Sequence, residues 1–188
     1  MRVGLPLLTL IPGISGGSET YARNLTAALA RVGEHEYEVV APSLAPDAGG
    51  GLPTQVALEY RSSTRTVGRL RAMMEATARP ATLRKRLAGC DVVHYPLTVP
   101  VPPVDRPTVL TLLDVQHRDH PELFGRGERL FRRAAYDRAA RHASEVIVIS
   151  EFVRERAIER LGLVPSRVHA IWLGVDHERF APPTDERR

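Results

Sequence analysis

The sequence predicts an α/β fold, a mostly parallel sheet covered by helices on both faces. Three observations carry that reading. Residues 145–180 run strand, helix, strand, and Val146–Ile149 is an unbroken β-branched run, the pattern of a parallel strand buried on both faces. Short apolar runs of the same kind recur at Arg2–Leu10, Tyr37–Ala41, Asp91–His94 and Thr108–Leu113, separated by helical periodicity. The 188 residues are 43% apolar and 26% charged, enough for one globular domain with its own core.

Arg2–Leu10 is expected as a central strand, because nearly every position is apolar. It runs into a loop, residues 11–20, where Pro12, Gly13, Gly16 and Gly17 can bring backbone amides close to a ligand. Ser18 is expected to cap a helix reaching Arg31, with Tyr21, Leu25, Ala28, Leu29 and Val32 as its apolar stripe. A glycine loop feeding a helix N-terminus is a ready anion site, since unpaired N–H groups and the dipole point the same way. The plainer reading is a tight turn that needs positive φ. Neither the G-x-G-x-x-G dinucleotide fingerprint nor a phosphate loop ending in Gly-Lys-Ser/Thr is present.

Gly33 ends the first helix, and Tyr37–Ala41 is the second strand. Residues 42–53, with the run Gly49-Gly50-Gly51, read as a flexible surface loop before a third strand at Thr54–Tyr60. Arg61–Arg86 is a basic helical stretch, seven arginines and Lys85 against one acid, Glu75, broken at Pro80. A solvated helix face is its plain reading, with an anionic membrane or a phosphate-bearing substrate as the alternative partner. Nucleic acid is not an expected partner.

Asp91–His94 is the fourth strand, and Pro100, Pro102, Pro103 and Pro107 make the next connection extended. The fifth strand, Thr108–Leu113, opens into the densest polar cluster of the chain: Asp114, Gln116, His117, Asp119, His120 and Glu122 fall within nine residues. Ligands of open α/β sheets bind beyond the C-terminal ends of the strands, so the location suits a site. The His and Asp residues lack a familiar ligand spacing, and no metal is expected. A structural loop with a capping Asp is the alternative. A helix then runs from Gly125 and Gly127 to about His142, packing through Leu130, Phe131, Ala134, Ala135 and Ala139. Arg126, Arg129, Arg132 and Arg133 are read as its solvated face.

After the sixth strand Ser150 can cap a helix, Glu151 suits its positive end, and Gly162 can stop it. Val153, Ala157, Ile158 and Leu161 form the apolar stripe. Val168–Leu173 is a last strand, His169 is read as a hydrogen-bonded structural histidine, and Trp172 as core or domain-edge packing. Cys90 stands alone, which rules out an intramolecular disulfide and suits a reducing compartment. No stretch is long and apolar enough to span a bilayer, no signal-peptide layout is present, and the net charge is +4. A soluble, cytoplasmic protein is expected.

Several of these blocks together resemble one family. GGSETYARNLTAAL at 16–29, DVVHYP at 91–96, VLTLLDVQHRDHPELF at 109–124 and VIVISEFVRERAIERLGLVPSRVHAIWLGVDHERF at 146–180 are similar, in order, to blocks of the family-4 (group 1) glycosyltransferases. The resemblance implies a Rossmann-like three-layer domain at 1–180, the N-terminal, acceptor-side half of a GT-B fold. Residues 181–188 are then a linker or the end of the chain, and the C-terminal donor domain is absent. It implies sugar transfer from a nucleotide-sugar to a saccharide or lipid-linked acceptor, with retention at the anomeric carbon. The nucleotide-sugar is a substrate; no cofactor or obligatory metal is implied. Contact with the inner membrane face is compatible with this.

Carried over residue by residue, Gly16 and Gly17 match the loop that approaches the donor phosphates, and Glu19 is placed to hold that loop. His94 and Asp114 end strands at the cleft; Ser150 and Glu151 match a Ser-Glu pair. Gly174 and Asp176 belong to the turn towards the partner domain. One departure matters: where relatives often carry His before the Asp, this chain has Leu113, and His117 is the substitute cleft histidine expected beside Asp114 in catalysis. The leading expectation is a transferase half that is inactive alone. A non-catalytic module binding a sugar or nucleotide is the alternative, and a second α/β domain in the same reading frame would decide between them.

Overall fold

The computed structural model describes residues 1–177 and residue 180. Its strands are β1 (Arg2–Pro6), β2 (Glu36–Pro42), β3 (Thr54–Ala57), β4 (Val92–Tyr95), β5 (Thr108–Leu112), β6 (Glu145–Val148) and β7 (Val168–Ala170). They form one seven-stranded sheet in the order β3-β2-β1-β4-β5-β6-β7, every neighbouring pair parallel. The helices are α1 (Gly17–Val32), α2 (Thr66–Ala78), α3 (Ala81–Arg86), α4 (Gln116–Asp119), α5 (Arg126–Arg132), α6 (Arg138–His142) and α7 (Glu151–Leu161). The expected α/β architecture is present, Rossmann-like in its strand order.

Alternation along β2 shows how the layers divide. Val39 and Ala41 pack with Leu5, Ala22, Ala45 and Ala48, while Val40 joins the cluster of Ala72, Ala76, Leu83, Ala140 and Ala157. Successive side chains of a strand point to opposite faces, so α1 covers one face and α2, α3, α6 and α7 the other. A right-handed crossover from β3 to β4 requires that change of side. Wholly buried positions such as Leu5, Val39, Val40, Leu110, Leu112 and Val148 explain why the strands read as unbroken apolar runs.

Several local expectations are corrected. β1, β3 and β7 end at Pro6, Ala57 and Ala170, short of Leu10, Tyr60 and Leu173. Beyond β7, an edge strand of three residues, the apolar run leaves the sheet, and Ile171, Trp172 and Leu173 are 54%, 77% and 51% exposed. Trp172 is therefore not core. Gly16, not Ser18, occupies the N-cap of α1, with φ 55° and no side-chain cap; Ser18 lies inside the helix. Val32 is exposed at the last turn of α1, whose buried side is Ala22 and Thr26.

The loop at 43–53 is a packed plug. Ala45 and Ala48 are buried under α1, and the Thr26 hydroxyl donates to the Ala48 carbonyl (2.9 Å). Gly50 has φ 58°, and a Cβ there would lie 2.5 Å from the Ala27 nitrogen. This turn takes the place of a helix between β2 and β3. Ser150 caps α7 as expected, accepting from the Val153 N–H (3.2 Å), and Gly162 closes it in the left-handed conformation. His169 is hydrogen-bonded, to Glu145 (2.7 Å). The expectation for 181–188 lies outside the described residues.

Candidate functional site

The strand order reverses direction between β1 and β4, since β1 connects towards β2 and β4 towards β5. The crevice beyond the carboxyl ends of such strands is where open α/β sheets hold ligands. Four chain segments meet this edge: the glycine loop after β1, residues 96–98 after β4, Asp114 after β5, and Ser150-Glu151 after β6.

The glycine loop is built by its own side chains. Ser15 Oγ accepts from the Ile11 N–H (3.0 Å), and Glu19 Oε2 accepts from the Gly13 N–H (2.8 Å). Arg23, one helical turn on, donates to Glu19 Oε1 (2.9 Å) and holds that carboxyl below its ordinary range. Glu19 therefore clamps the loop to α1. The amides of Gly16 and Gly17 have no protein partner among the described residues, and nothing lies within 4 Å of a Cβ built on either. The backbone demand falls on Gly13 (φ 71°) and Gly16 (φ 55°), not on Gly17.

Asp114 follows β5, and its Oδ1 accepts from the Gln116 N–H (3.0 Å), turning the chain into α4. Its carboxylate lines a small pocket of about 70 Å³ with Ser18, Leu97, Thr98, Leu113, Arg132 and Tyr136. Arg132 forms one wall. Its guanidinium sits 4.6 Å over the Phe124 ring and 5.2 Å from the Tyr136 ring, and reaches 3.7 Å from Asp114 Oδ1. Thr98 is the one non-glycine residue with positive φ (64°) among the described residues. Its hydroxyl donates to the Thr111 carbonyl (2.8 Å), so a strained residue is pinned at the pocket. A larger indentation of about 140 Å³ is lined by Ala140, Val146, Leu163, Arg167 and Val168. It lies at the opposite, N-terminal ends of β6 and β7, away from these groups.

His117 is corrected: it does not line the cleft. It is fully buried, and its Nε2 donates to Asp137 Oδ1 (2.8 Å), while Arg118 Nε donates to Asp137 Oδ2 (2.9 Å). A π-helical turn, Arg133–Asp137, joins α5 to α6 and rotates Asp137 into the core beneath α4. Leu130 and Ala134, expected on the packing side of this helix, are exposed. Neither Thr98, Arg132 nor the π turn carries a sequence signal; only the arginine-rich pattern around Arg132 was visible.

His94 is also tied into the fold. It is 8% exposed, shares a hydrogen bond with Thr111 Oγ1 (2.8 Å), and Thr111 Oγ1 in turn meets Tyr21 OH (3.1 Å). Burial pushes the imidazole down to about 4, so it is neutral. Ser150 spends its hydroxyl on the α7 cap, whereas Glu151 is exposed, 3.8 Å from Arg154. Asp119 is held by Arg156 and Arg160 of α7, which keep it down at about 2. The edge thus offers two open amides at a helix N-terminus and, on the pocket wall, a carboxylate oriented by an arginine. That set can hold an anion and accept a hydroxyl proton in a hydrogen bond.

A family model described as Glycosyltransferase Family 4 matches residues 15–179. Among solved structures, the crystal structure of a glycosyltransferase from Rickettsia africae ESF-5 is similar, with a TM-score of 0.53 at 14% identity. The match covers 98% of this chain and 46% of that one, so the chain spans about half the length of the relative. No curated protein matches the sequence.

Proposed function

Because the chain belongs to glycosyltransferase family 4, we propose that it is the acceptor-binding half of a retaining transferase that moves a sugar from a nucleotide-sugar to a saccharide or lipid-linked acceptor. The observation that carries the reading is the shared edge: the open amides of Gly16 and Gly17 and the Asp114 carboxylate both flank the point where strand order reverses. In this reading the glycine loop faces the donor phosphates, with Glu19 fixing its shape. Asp114 receives an acceptor hydroxyl, held in one orientation by Arg132 and the Gln116 amide. Thr98 and Ser18 complete the acceptor side, and Glu151 stands at the rim. The reaction runs in the cytoplasm without an obligatory metal.

A pocket of about 70 Å³ is far below the roughly 300–1,000 Å³ of a small-molecule site. A second α/β domain is therefore proposed to close the cleft and grip the nucleotide-sugar. Orienting two reactants together is worth about 7–11 kcal/mol, which half a cleft cannot supply. The 188-residue chain should melt cooperatively yet release no nucleotide from any nucleotide-sugar offered with a range of acceptors. Covalent linkage to the donor half should restore transfer. Turnover by the chain alone would overturn the two-domain reading; a linked protein that binds nucleotide-sugar but transfers nothing would mark a binding module.

A further inference from the structure

The indentation of about 140 Å³ at the N-terminal ends of β6 and β7 is lined by two positive charges and no negative one. Arg141 lies in the last turn of α6, Arg167 stands just before β7, and Leu163 and Val164 come from the turn after α7. Val146 and Val168 form a buried floor. Neither arginine pairs with a carboxylate among the described residues; each donates to backbone carbonyls instead. The acids closest in sequence are already committed. Glu145 is taken by His169 (2.7 Å), and Asp137 is buried with His117 and Arg118.

Arg141 Nε donates to the Leu161 carbonyl (3.0 Å) and Arg167 Nε to that of Ser144 (3.0 Å), with Arg167 Nη2 on the Ala143 carbonyl. These contacts answer carbonyls left open where α6 and α7 end, and so offset the negative ends of both helices. They also fix the guanidinium groups, while both Nη groups of Arg141 and Nη1 of Arg167 keep no partner among the described residues. Backbone donors join them. Gly162 turns the chain in the left-handed conformation (φ 66°), and the amides of Leu163 and Val164 after it make no hydrogen bond among the described residues. Leu163 is 8% exposed, a setting in which a backbone N–H is normally paired. Helix capping accounts for the Nε groups; it does not account for that amide.

We propose that this indentation binds a phosphate group, as inorganic phosphate or as the head of a small phosphate monoester. Guanidinium forks held in one orientation match phosphate oxygens, and unpaired amides at a left-handed turn are a second recurrent cradle for such anions. The volume is below the roughly 300–1,000 Å³ of a drug-sized ligand, so a head group enters and a whole nucleotide does not. The site lies at the far end of the sheet from the glycine loop and Asp114. It stands whether or not the cleft transfers sugar, and a domain closing over the cleft would leave it open.

Amide NMR of the chain tests this. Inorganic phosphate, titrated against chloride at matched ionic strength, should shift the Leu163 and Val164 signals saturably, with a Kd of about 1–10 mM. Phenyl phosphate separates the two sources: it should bind more tightly than inorganic phosphate if a monoester is the ligand, and cause no shift if free phosphate is. The double variant Arg141→Gln/Arg167→Gln should bind phosphate at least roughly tenfold more weakly. Because both arginines also cap helices, a second variant leaves them in place. Val164 is 53% exposed, and Val164→Glu sets a carboxylate at the mouth and should abolish binding, whereas Val164→Gln should keep it, with melting temperatures matching the parent for both. Shifts that fail to saturate, or that chloride reproduces, would overturn the proposal. So would undiminished binding by Val164→Glu, or saturation by acetate with none by phosphate.

Discussion

Asp114 and His117 stand three residues apart, yet the turn after β5 sends them to different surroundings. Asp114 keeps 37% of its side chain exposed at the pocket, and His117 keeps none. In a linked two-domain enzyme, Asp114→Asn should lower transfer by roughly a hundredfold with little change in melting temperature. His117→Ala should instead cost about 3 kcal/mol of stability, because it strips one partner from the buried Asp137 carboxylate. Urea denaturation beside an activity assay separates the two; a stable but inactive His117 variant would return that residue to the cleft. His94 gives a pH test. Its imidazole is near 4 in the fold against 6.5 ordinarily, so between those values the unfolded chain binds a proton that the folded chain does not. Stability contributed by neutral His94 is complete above about 6.5, declines as pH falls through the window, by up to about 3 kcal/mol, and levels off below about 4. His94→Gln should flatten that part of a plot of urea midpoint against pH. The polar cluster after β5 was legible as a place where chemistry could sit. Its sorting was not, because the burial of His117 depends on Asp137, twenty residues later in another helix.

At the level of elements, the strand–helix–strand unit from β6 to β7 was legible because each signal in it acts locally. Ser150 needs only the Val153 N–H three residues on, and Ser150→Ala should cost about 1 kcal/mol in a thermal or urea melt. The start of α1 was misread because Gly16 and Ser18 both offer a terminus, and the positive φ of Gly16 decides between them. The plug at 43–53 was hidden for a different reason. Its glycines signal a turn, but the partner that buries it, α1, is distant in sequence and invisible to local pattern. Gly50→Ala should therefore destabilise the domain by about 2 kcal/mol or more, since a Cβ would collide with the Ala27 nitrogen, whereas Gly17→Ala should fold normally. A normal melt for Gly50→Ala would mean the plug yields. The π turn at Arg133–Asp137 leaves no trace in the sequence at all; helical periodicity simply assigned Leu130 and Ala134 to the wrong side.

For the molecule as a whole, the parallel sheet followed from the apolar runs, while the order of its strands became visible only with the crossover from β3 to β4. Among the described residues no strand pairs beyond β3 or β7, and the β7 edge has a consequence for behaviour in concentrated solution. Three residues of edge strand are followed at once by Ile171, Trp172, Leu173 and Val175, all more than half exposed and uncharged. Unpaired backbone groups beside an apolar, β-prone segment form a template on which other chains can add strand by strand. No lysine or proline interrupts residues 168–175, and the charges that oppose such growth stand only at its two ends, Arg167 and Asp176. Turbidity and light scattering should therefore rise steeply with concentration and with kosmotropic salt, at temperatures well below the melt. Trp172→Lys should suppress the rise without moving the melting temperature, making the handling of this protein a matter of one exposed indole at one sheet edge.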